Sequence, residues 1–223
     1  MRISSCFLAG SLVLGCALAN AGEHKSAAAN AEKKGGAAPA AARVGTDPGG
    51  AGQGTPLAPK AGHELGAFAA GCFWGVEDAF RRVPGVTATA VGYTGGHTKN
   101  PTYPAVCEHD TGHAETVLVE FDPKKVSYER LVSIFFEIHD PTTLNRQGPD
   151  YGDQYRSAVF TFSKPQEVAV RSAVVRTEAK IRARVATQIT PIGPFYRAED
   201  HHQQYAERTG SHGCPIRNFS GSI

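Results

Sequence analysis

The fold of this chain depends on one stretch, residues 65–75, which reads Leu-Gly-Ala-Phe-Ala-Ala-Gly-Cys-Phe-Trp-Gly. Its first six residues are small or apolar and predict a short buried strand. Residues 76–82, Val-Glu-Asp-Ala-Phe-Arg-Arg, predict one or two helical turns, which Val83-Pro84-Gly85 would end. Cys72 is therefore expected where a buried strand gives way to the first turn of a helix.

The expected position of Cys72 favours a reactive thiol. Free backbone N–H groups and the positive end of the helix dipole meet there, and both lower the pKa of a thiol. Phe73 and Trp74 would surround the thiol with apolar surface, and the neighbouring glycines would let a ligand approach the backbone. The alternative is a buried core cysteine, because free Cys packs like a small hydrophobic residue. Residues 71–75 alone favour neither interpretation.

The composition limits the classes of protein to which this chain can belong. The chain has 223 residues, 41% of them hydrophobic, and a net charge of +2, which suits one ordinary domain. A charge this balanced does not indicate nucleic acid or a membrane surface as a partner. The five cysteines, at positions 6, 16, 72, 107 and 214, form no Cys-x-x-Cys motif. This spacing argues against a zinc knuckle and against a thioredoxin-type pair.

The first 21 residues predict an export signal. Arg2 is a minimal basic region, and the apolar run from Ile3 to Leu14 is too short to span a bilayer comfortably. Small residues at 17–19 and 19–21 offer two cleavage sites, whereas Val13-Leu14-Gly15-Cys16 resembles a bacterial lipobox that would make Cys16 a lipidated N-terminus. We therefore expect a protein of the bacterial periplasm or envelope, either soluble or lipid-anchored.

Residues 22–62 are dominated by Ala, Gly, Pro and Lys, which predicts a disordered tether without a core. The globular domain is expected at 63–223. Besides the strand at 65–70, strands are predicted at 86–93, 115–121, 156–162 and 188–191. This order of elements predicts an α+β, two-layer sandwich with a mainly antiparallel mixed sheet and a ferredoxin-like core.

Three helices are predicted after the first one. Ser127 caps a helix over 128–138, and Ser163 with Pro165 opens a long helix to about residue 186. Four of its residues fall on one face, the expected core side: Val170, Val174, Ile181 and Val185. A short helix is expected over 199–208. Residues 97–113 and 141–154 are predicted to be polar loops.

Five motifs resemble the peptide methionine sulfoxide reductase A family, over about residues 64–214. They are Gly71-Cys72-Phe73-Trp74-Gly75, Gly92-Tyr93-Thr94-Gly95-Gly96, Thr111-Gly112-His113-Ala114-Glu115, Gln154-Tyr155-Arg156-Ser157 and the run from Ala198 to Tyr205. Each motif alone is weak evidence, but five in the order of the family are specific.

The resemblance implies a reaction and a set of site residues. Sulfoxide reduction needs a soft nucleophile at sulfur and a proton for the departing oxygen. By resemblance Cys72 is the nucleophile and Glu115 the acid, whose pKa burial would raise. Tyr103 and Tyr155 match hydroxyl donors to the sulfoxide oxygen, and Asp150 matches a carboxylate beside them. Phe73 and Trp74 would form an apolar cage for the substrate methyl group.

The family acts on the S epimer at sulfur, and attack would leave Cys72 as a sulfenic acid that a second thiol resolves. Cys214 is the candidate resolving cysteine, although it stands in His212-Gly213-Cys214-Pro215 rather than the usual Gly-Tyr-Cys-Gly. The resemblance implies repair of oxidised proteins under oxidative stress, by a monomer without metal or organic cofactor. A thioredoxin-like reductant would recycle it.

Several alternatives stand beside these interpretations. Cys107 is expected to be an inert packed thiol, although together with His109, His113, His201 and His202 it could be taken for a set of metal ligands. The rival function is a secreted binding domain in which Cys72 and Cys214 form a permanent structural disulfide. A relative that has lost activity is a third possibility, against which the intact set of site residues argues.

Overall fold

The structure is a computed structural model that describes residues 57–211. The predicted signal segment 1–21 with Cys16, the tether as far as residue 56, and Cys214 lie outside the described residues. No helix among residues 57–211 is both long and apolar enough to cross a membrane.

The described chain forms eight strands and five α-helices. In chain order they are β1 (Glu64–Ala70), α1 (Phe73–Arg81), β2 (Val86–Thr94), α2 (Tyr103–Cys107), β3 (Ala114–Phe121), α3 (Tyr128–Ile138), β4 (Arg146–Gln147), β5 (Asp150–Tyr151), β6 (Ser157–Thr161), α4 (Lys164–Ile181), β7 (Gln188–Pro191), β8 (Tyr196–Arg197) and α5 (Tyr205–Thr209).

Six of these strands form one sheet in the order β7-β6-β1-β3-β2-β8. All neighbouring pairs are antiparallel except β6 with β7. The inner order β6-β1-β3-β2, with α1 after β1 and α3 after β3, is that of a ferredoxin-like βαββαβ unit. The predicted α+β sandwich with a mainly antiparallel mixed sheet is confirmed.

The main core lies between the sheet and the helices α1, α3 and α4. Phe68 of β1 is its centre: its ring stacks on Phe80 of α1 with centroids 4.7 Å apart and contacts Phe135 of α3 at 5.8 Å. The opposite face of the sheet carries a smaller cluster around Leu118, Phe160 and Phe195. Because β1 and β3 are buried on both faces, they form a rigid frame for the junction that follows β1.

The long helix α4 is shorter than predicted. It ends at Ile181 rather than near residue 186, because Arg182 takes a left-handed conformation with φ +54°. Val170 is buried on the core side as expected, but Ile181 is 37% exposed and Val185 lies beyond the helix. The predicted core face is therefore correct for the first half of α4 and wrong for its end.

Three further segments differ from the predictions. Helix α1 begins at Phe73, three residues before the predicted start. The predicted loops contain α2 and the β4–β5 hairpin. The predicted helix over 199–208 is divided into a 3₁₀ turn, Asp200–His202, and α5. All three segments lie around the same end of the sheet, where the candidate site is found.

The domain boundary predicted at residue 63 falls at the start of β1. Just before it, Leu57 packs against the smaller core cluster, and the backbone N–H of Lys60 donates a hydrogen bond of 3.1 Å to Oε2 of Glu120. The final residues of the predicted tether thus contact the domain.

Candidate active site

Cys72 occupies the junction between β1 and α1, as predicted. It is the residue that precedes the first turn of α1, and within the described chain its side chain makes no capping hydrogen bond to that helix. It is half-buried, and it forms no disulfide within residues 57–211. The turn before it needs glycine, because Gly71 has φ +94° and a Cβ atom there would lie 2.6 Å from Cγ of Gln147.

Glu115 lies beside this junction. It belongs to β3 and is 2% exposed, and its Oε2 accepts a hydrogen bond of 3.0 Å from the backbone N–H of Phe73. A carboxyl group from 42 residues away thus takes one of the free N–H groups at the start of α1. This contact places the predicted acid next to the residue that follows the predicted nucleophile.

An aromatic wall stands next to Cys72 and Glu115, and we define it as Phe73, Trp74, Tyr103 and His202. The imidazole ring of His202 contacts the other three, with centroid distances of 5.3 Å to Phe73, 5.6 Å to Trp74 and 4.6 Å to Tyr103. On its other side Trp74 stacks on Tyr205 at 4.0 Å. Two predicted cage residues and one predicted hydroxyl donor therefore share one surface.

Glu199 supports the aromatic wall through two hydrogen bonds. Its Oε1 accepts a hydrogen bond of 2.9 Å from the backbone N–H of Tyr103, and its Oε2 accepts one of 3.0 Å from the hydroxyl of Tyr93. Burial raises the pKa of Glu199, but hydrogen bonds, first that from the Tyr103 backbone, outweigh it and leave the pKa below its ordinary value. Burial, followed by the charge of Glu199, raises the pKa of Tyr93, which keeps that hydroxyl a donor.

Asp150 and Tyr155 lie on the neighbouring loop. Asp150 pairs with Gln147 in the β4–β5 hairpin, and Gln147 is the residue that packs on Gly71. Tyr155 ends a 3₁₀ turn, Asp153–Tyr155, that packs against β3. The predicted hydroxyl and carboxylate groups therefore lie on segments that contact the turn before Cys72 and the strand that carries Glu115.

Arg156 fixes this loop from within. Its guanidinium donates hydrogen bonds to the backbone oxygens of Asp153 at 2.8 Å and Gly112 at 3.0 Å, and to Oε1 of Gln188 at 3.0 Å. One buried side chain thus joins the turn carrying Tyr155, the loop leading to β3, and the start of β7. Its place in the sequence motif gave no sign of this role.

Sequence reasoning also missed Glu199 and His202. Both lie in the run from Ala198 to Tyr205, which is one of the five motifs, but Glu199 received no role and His202 was considered only as a possible metal ligand. The density of polar residues was the available signal. Their partners on β2, α1 and α2 become evident only in the folded chain.

Three of the four histidines considered as possible metal ligands, His109, His113 and His202, have hydrogen-bond partners. Nδ1 of His113 accepts a hydrogen bond from the backbone N–H of Gly96, and its Nε2 lies 2.8 Å from the backbone oxygen of Thr98. Among residues 57–211 no group of three or more His, Cys, Asp and Glu side chains is placed to hold a metal ion. Cys107 is a half-buried thiol at the end of α2.

A thiol at the start of a helix, a buried carboxyl group beside it and an aromatic wall define a class of protein, the thiol-dependent oxidoreductases. A family model described as peptide methionine sulfoxide reductase matches residues 64–222. The chain therefore belongs to the peptide methionine sulfoxide reductase family, which confirms the resemblance.

Individual relatives are similar over most of the domain. The peptide methionine sulfoxide reductase MsrA of Methanosarcina acetivorans is 53% identical over 163 residues, covering 72% of this chain and 87% of that protein. Peptide methionine sulfoxide reductase A2 of Arabidopsis thaliana is 49% identical over 155 residues, covering 70% and 71%.

Two solved structures show the same fold. Reduced Mxr1 from Saccharomyces cerevisiae matches with a TM-score of 0.67 and 36% identity, covering 71% of this chain and 94% of that chain. Methionine sulfoxide reductase A of Corynebacterium diphtheriae matches with a TM-score of 0.64 and 39% identity, covering 70% and 79%.

Proposed function

We propose that this chain, an oxidoreductase of the family, reduces methionine S-sulfoxide to methionine, free or in oxidised proteins, and so repairs them. The observation that carries the proposal is the hydrogen bond from the backbone N–H of Phe73 to the buried carboxyl group of Glu115, directly beside Cys72. This contact supports the proposal, because it brings the proposed acid to the helix start at which the proposed nucleophile lies.

In the proposed step the Cys72 thiolate attacks the sulfoxide sulfur and forms a sulfur–sulfur bond, while Glu115 supplies a proton to the oxygen. The oxygen then moves to the sulfur of Cys72 as the sulfur–oxygen bond of the substrate and the new sulfur–sulfur bond both break. The substrate sulfur is reduced by two electrons to the thioether, and Cys72 is oxidised to a sulfenic acid that carries the oxygen. Tyr103 and Tyr155 donate hydrogen bonds to the sulfoxide oxygen, with Asp150 beside them.

The aromatic wall supplies the specificity in this proposal. Phe73 is buried and Trp74 is half-buried, so both offer apolar surface next to the thiol. A small S–CH₃ group gains from removal of its apolar area from water, whereas the polar sulfoxide oxygen does not. The orientation of methyl and oxygen would then select the S epimer.

Recycling is proposed to use Cys214. Its thiol would condense with the sulfenic acid of Cys72, releasing water and forming a disulfide that a thioredoxin-like dithiol then reduces. No metal or organic cofactor takes part in this scheme, and the working unit is proposed to be a monomer.

The test is turnover of both methionine sulfoxide epimers with dithiothreitol, by the wild type and by Cys72→Ser. We expect the wild type to consume the S epimer alone and Cys72→Ser to consume neither epimer. If folded, reduced wild type consumes neither epimer, the enzyme proposal is wrong. A binding domain with a structural Cys72–Cys214 disulfide then becomes the better hypothesis for the function.

We also propose export to the periplasm or envelope, on the sequence of residues 1–21. Mass spectrometry of the mature N-terminus tests this. A diacylglyceryl group on Cys16 would mean a lipid anchor, a start at Asn20 or Gly22 would mean release, and an intact Met1 would contradict export.

A further inference from the structure

Trp74 is the only tryptophan in the sequence, and its indole N–H forms a hydrogen bond within the aromatic wall. The indole Nε1–H donates to Nδ1 of His202 at 3.2 Å. Because an indole can only donate, Nδ1 must be the unprotonated nitrogen of His202 and Nε2 must carry the proton in the neutral ring. The pair joins the first turn of α1 to a residue 128 positions further along the chain.

The other nitrogen of His202 is buried without a matching partner. Nε2 finds no hydrogen-bond acceptor among residues 57–211, and the carboxylate of Glu199 lies 3.8 Å from it, too far for a hydrogen bond. His202 is nevertheless 2% exposed. A buried polar ring with one unsatisfied nitrogen is costly for the fold, which points to a role at the site.

We propose that His202 is a positioning residue, whose neutral imidazole fixes Trp74 and supports Tyr103, and thereby sets the wall that receives the substrate methyl group. This inference rests on the proposed function. The ring acts through contacts at three points: the hydrogen bond to Trp74, the 4.6 Å packing on Tyr103, and the 5.3 Å packing on Phe73. Loss of the acceptor would let the indole turn within the wall.

The surroundings of His202 keep the ring in the form that accepts this hydrogen bond. Burial and, after it, the charges of His201 and Arg208 lower its pKa, the carboxylate of Glu199 acts in the opposite direction, and the net pKa is about 4. The ring is therefore neutral near pH 7, and acid converts Nδ1 from an acceptor into a donor.

The kinetic test compares His202→Leu with His202→Asn. Asn places its carbonyl oxygen near the position of Nδ1 and can accept from the indole, whereas Leu cannot. For methionine S-sulfoxide we expect His202→Leu to raise KM about tenfold, with kcat changed less than about threefold, because one hydrogen bond of the binding wall is lost. His202→Asn should restore KM to within about threefold of the wild type. His201→Asn, at the exposed neighbour, is the matched control.

Fluorescence of the single tryptophan reports on the same contact without turnover. We expect the Trp74 emission of the wild type to change as the pH falls through about 4, where His202 becomes protonated, and the emission of His202→Asn to lack this change. Circular dichroism at each pH checks that the fold persists. Equal emission and equal KM in the wild type and His202→Leu would overturn the inference.

The two proposals fail separately. A wild type that reduces neither epimer defeats the proposed function, and the emission titration still decides whether His202 holds Trp74. If His202→Leu does not fold, the pH titrations of Trp74 emission in the wild type and in His202→Asn test the positioning role. Identical emission curves in these two proteins would overturn it.

Discussion

Helices α1 and α4 begin in opposite ways. Ser163 caps α4 by accepting a hydrogen bond from the backbone N–H of Gln166, Pro165 stands in the first turn, and Glu167 adds a negative charge there. Helix α1 has no acidic residue in its first turn and no capping side chain at Cys72. Its first N–H group is satisfied by Glu115 from another strand.

This difference shows what each helix start does. In α4 and in α3 a local serine accepts a hydrogen bond from one free N–H group of the first turn, so these ends serve the scaffold. At α1 the same task falls to a carboxyl group of β3, and the capping position itself holds a thiol. The start of α1, which has no local cap, therefore lies at the candidate active site.

The largest expected effect comes from removal of the proposed acid, Glu115, while its contact to α1 is kept. In Glu115→Gln the amide oxygen can still accept from the backbone N–H of Phe73, but the side chain can no longer supply a proton. We expect the rate of Cys72 oxidation by methionine S-sulfoxide to fall by a factor of about 10²–10³. Single-turnover measurement of methionine formed, with reduced protein and without added thiol, checks this.

A second glutamate on β3 offers the matched control. Glu120 is also buried, at 4% exposed, but its carboxylate bonds to the hydroxyl of Thr87 and the backbone N–H of Lys60 at the other end of the strand. Glu120→Gln should keep the wild-type rate. Equal losses in both variants would mean that Glu115 acts through general packing rather than as an acid.

The second prediction concerns the buried face of α1. Glu77 is 1% exposed, and it accepts hydrogen bonds from the hydroxyl of Thr89 and from both the backbone and the side chain of Gln204. Burial raises the pKa of Glu77, and these hydrogen bonds offset part of the rise. Glu77→Ala leaves the donors unsatisfied, so we expect the free energy of unfolding to fall by about 4 kcal/mol.

Asp78, the next residue, provides the comparison for Glu77. It forms an (i, i+4) ion pair with Arg82 that is open to solvent, and Asp78→Ala should cost at most about 0.5 kcal/mol. Urea denaturation of both variants measures the two values. A loss at Glu77 no greater than that at Asp78 would show that the Gln204 contacts do not hold the C-terminal segment to α1.

The third prediction uses pH. The pKa of His202 is about 4 in the folded protein and 6.5 in the reference state. The unfolded chain therefore binds the proton more readily, and stability falls as the pH decreases from 6.5 towards 4. The contribution of this one group is at most about 3 kcal/mol. Urea denaturation across this range should show a smaller acid loss in His202→Asn, and an identical loss would contradict the assigned pKa.

The sequence was sufficient to predict the helices and strands of the scaffold, because the sequence signals for these elements are local. Ser127 and the apolar spacing after it predict α3 over 128–138, and the structure has the same bounds. The alternating residues at 86–93 and 115–121 likewise predict β2 and β3 to within one residue. From these elements the ferredoxin-like arrangement follows, since the order of strands and helices leaves few alternatives.

The same reasoning was less accurate at the candidate site, for a physical reason. The start of α1 was predicted at residue 76, because Phe73, Trp74 and Gly75 offer no local helix signal, and the contact that stabilises Phe73 comes from 42 residues away. Tyr103 of α2 is held by Glu199 at a separation of 96 residues. Motifs predicted Cys72 and Glu115, but partners such as Glu199 leave no pattern in the sequence.

The smallest expected effects test the two helix starts directly. Ser163→Ala removes the cap of α4 and should lower the free energy of unfolding by about 1 kcal/mol, with turnover unchanged. Cys72→Ser should do the opposite: serine can accept from the N–H groups of α1, so stability should stay equal or rise by up to about 1 kcal/mol while activity is lost. Thermal and urea unfolding of both variants measure the sign of each change in the free energy of unfolding. Ser127→Ala, at the cap of α3, is measured as a second scaffold cap. A clear loss of stability in Cys72→Ser would mean that the thiol itself supports the start of α1, and that the capping position is not reserved for chemistry.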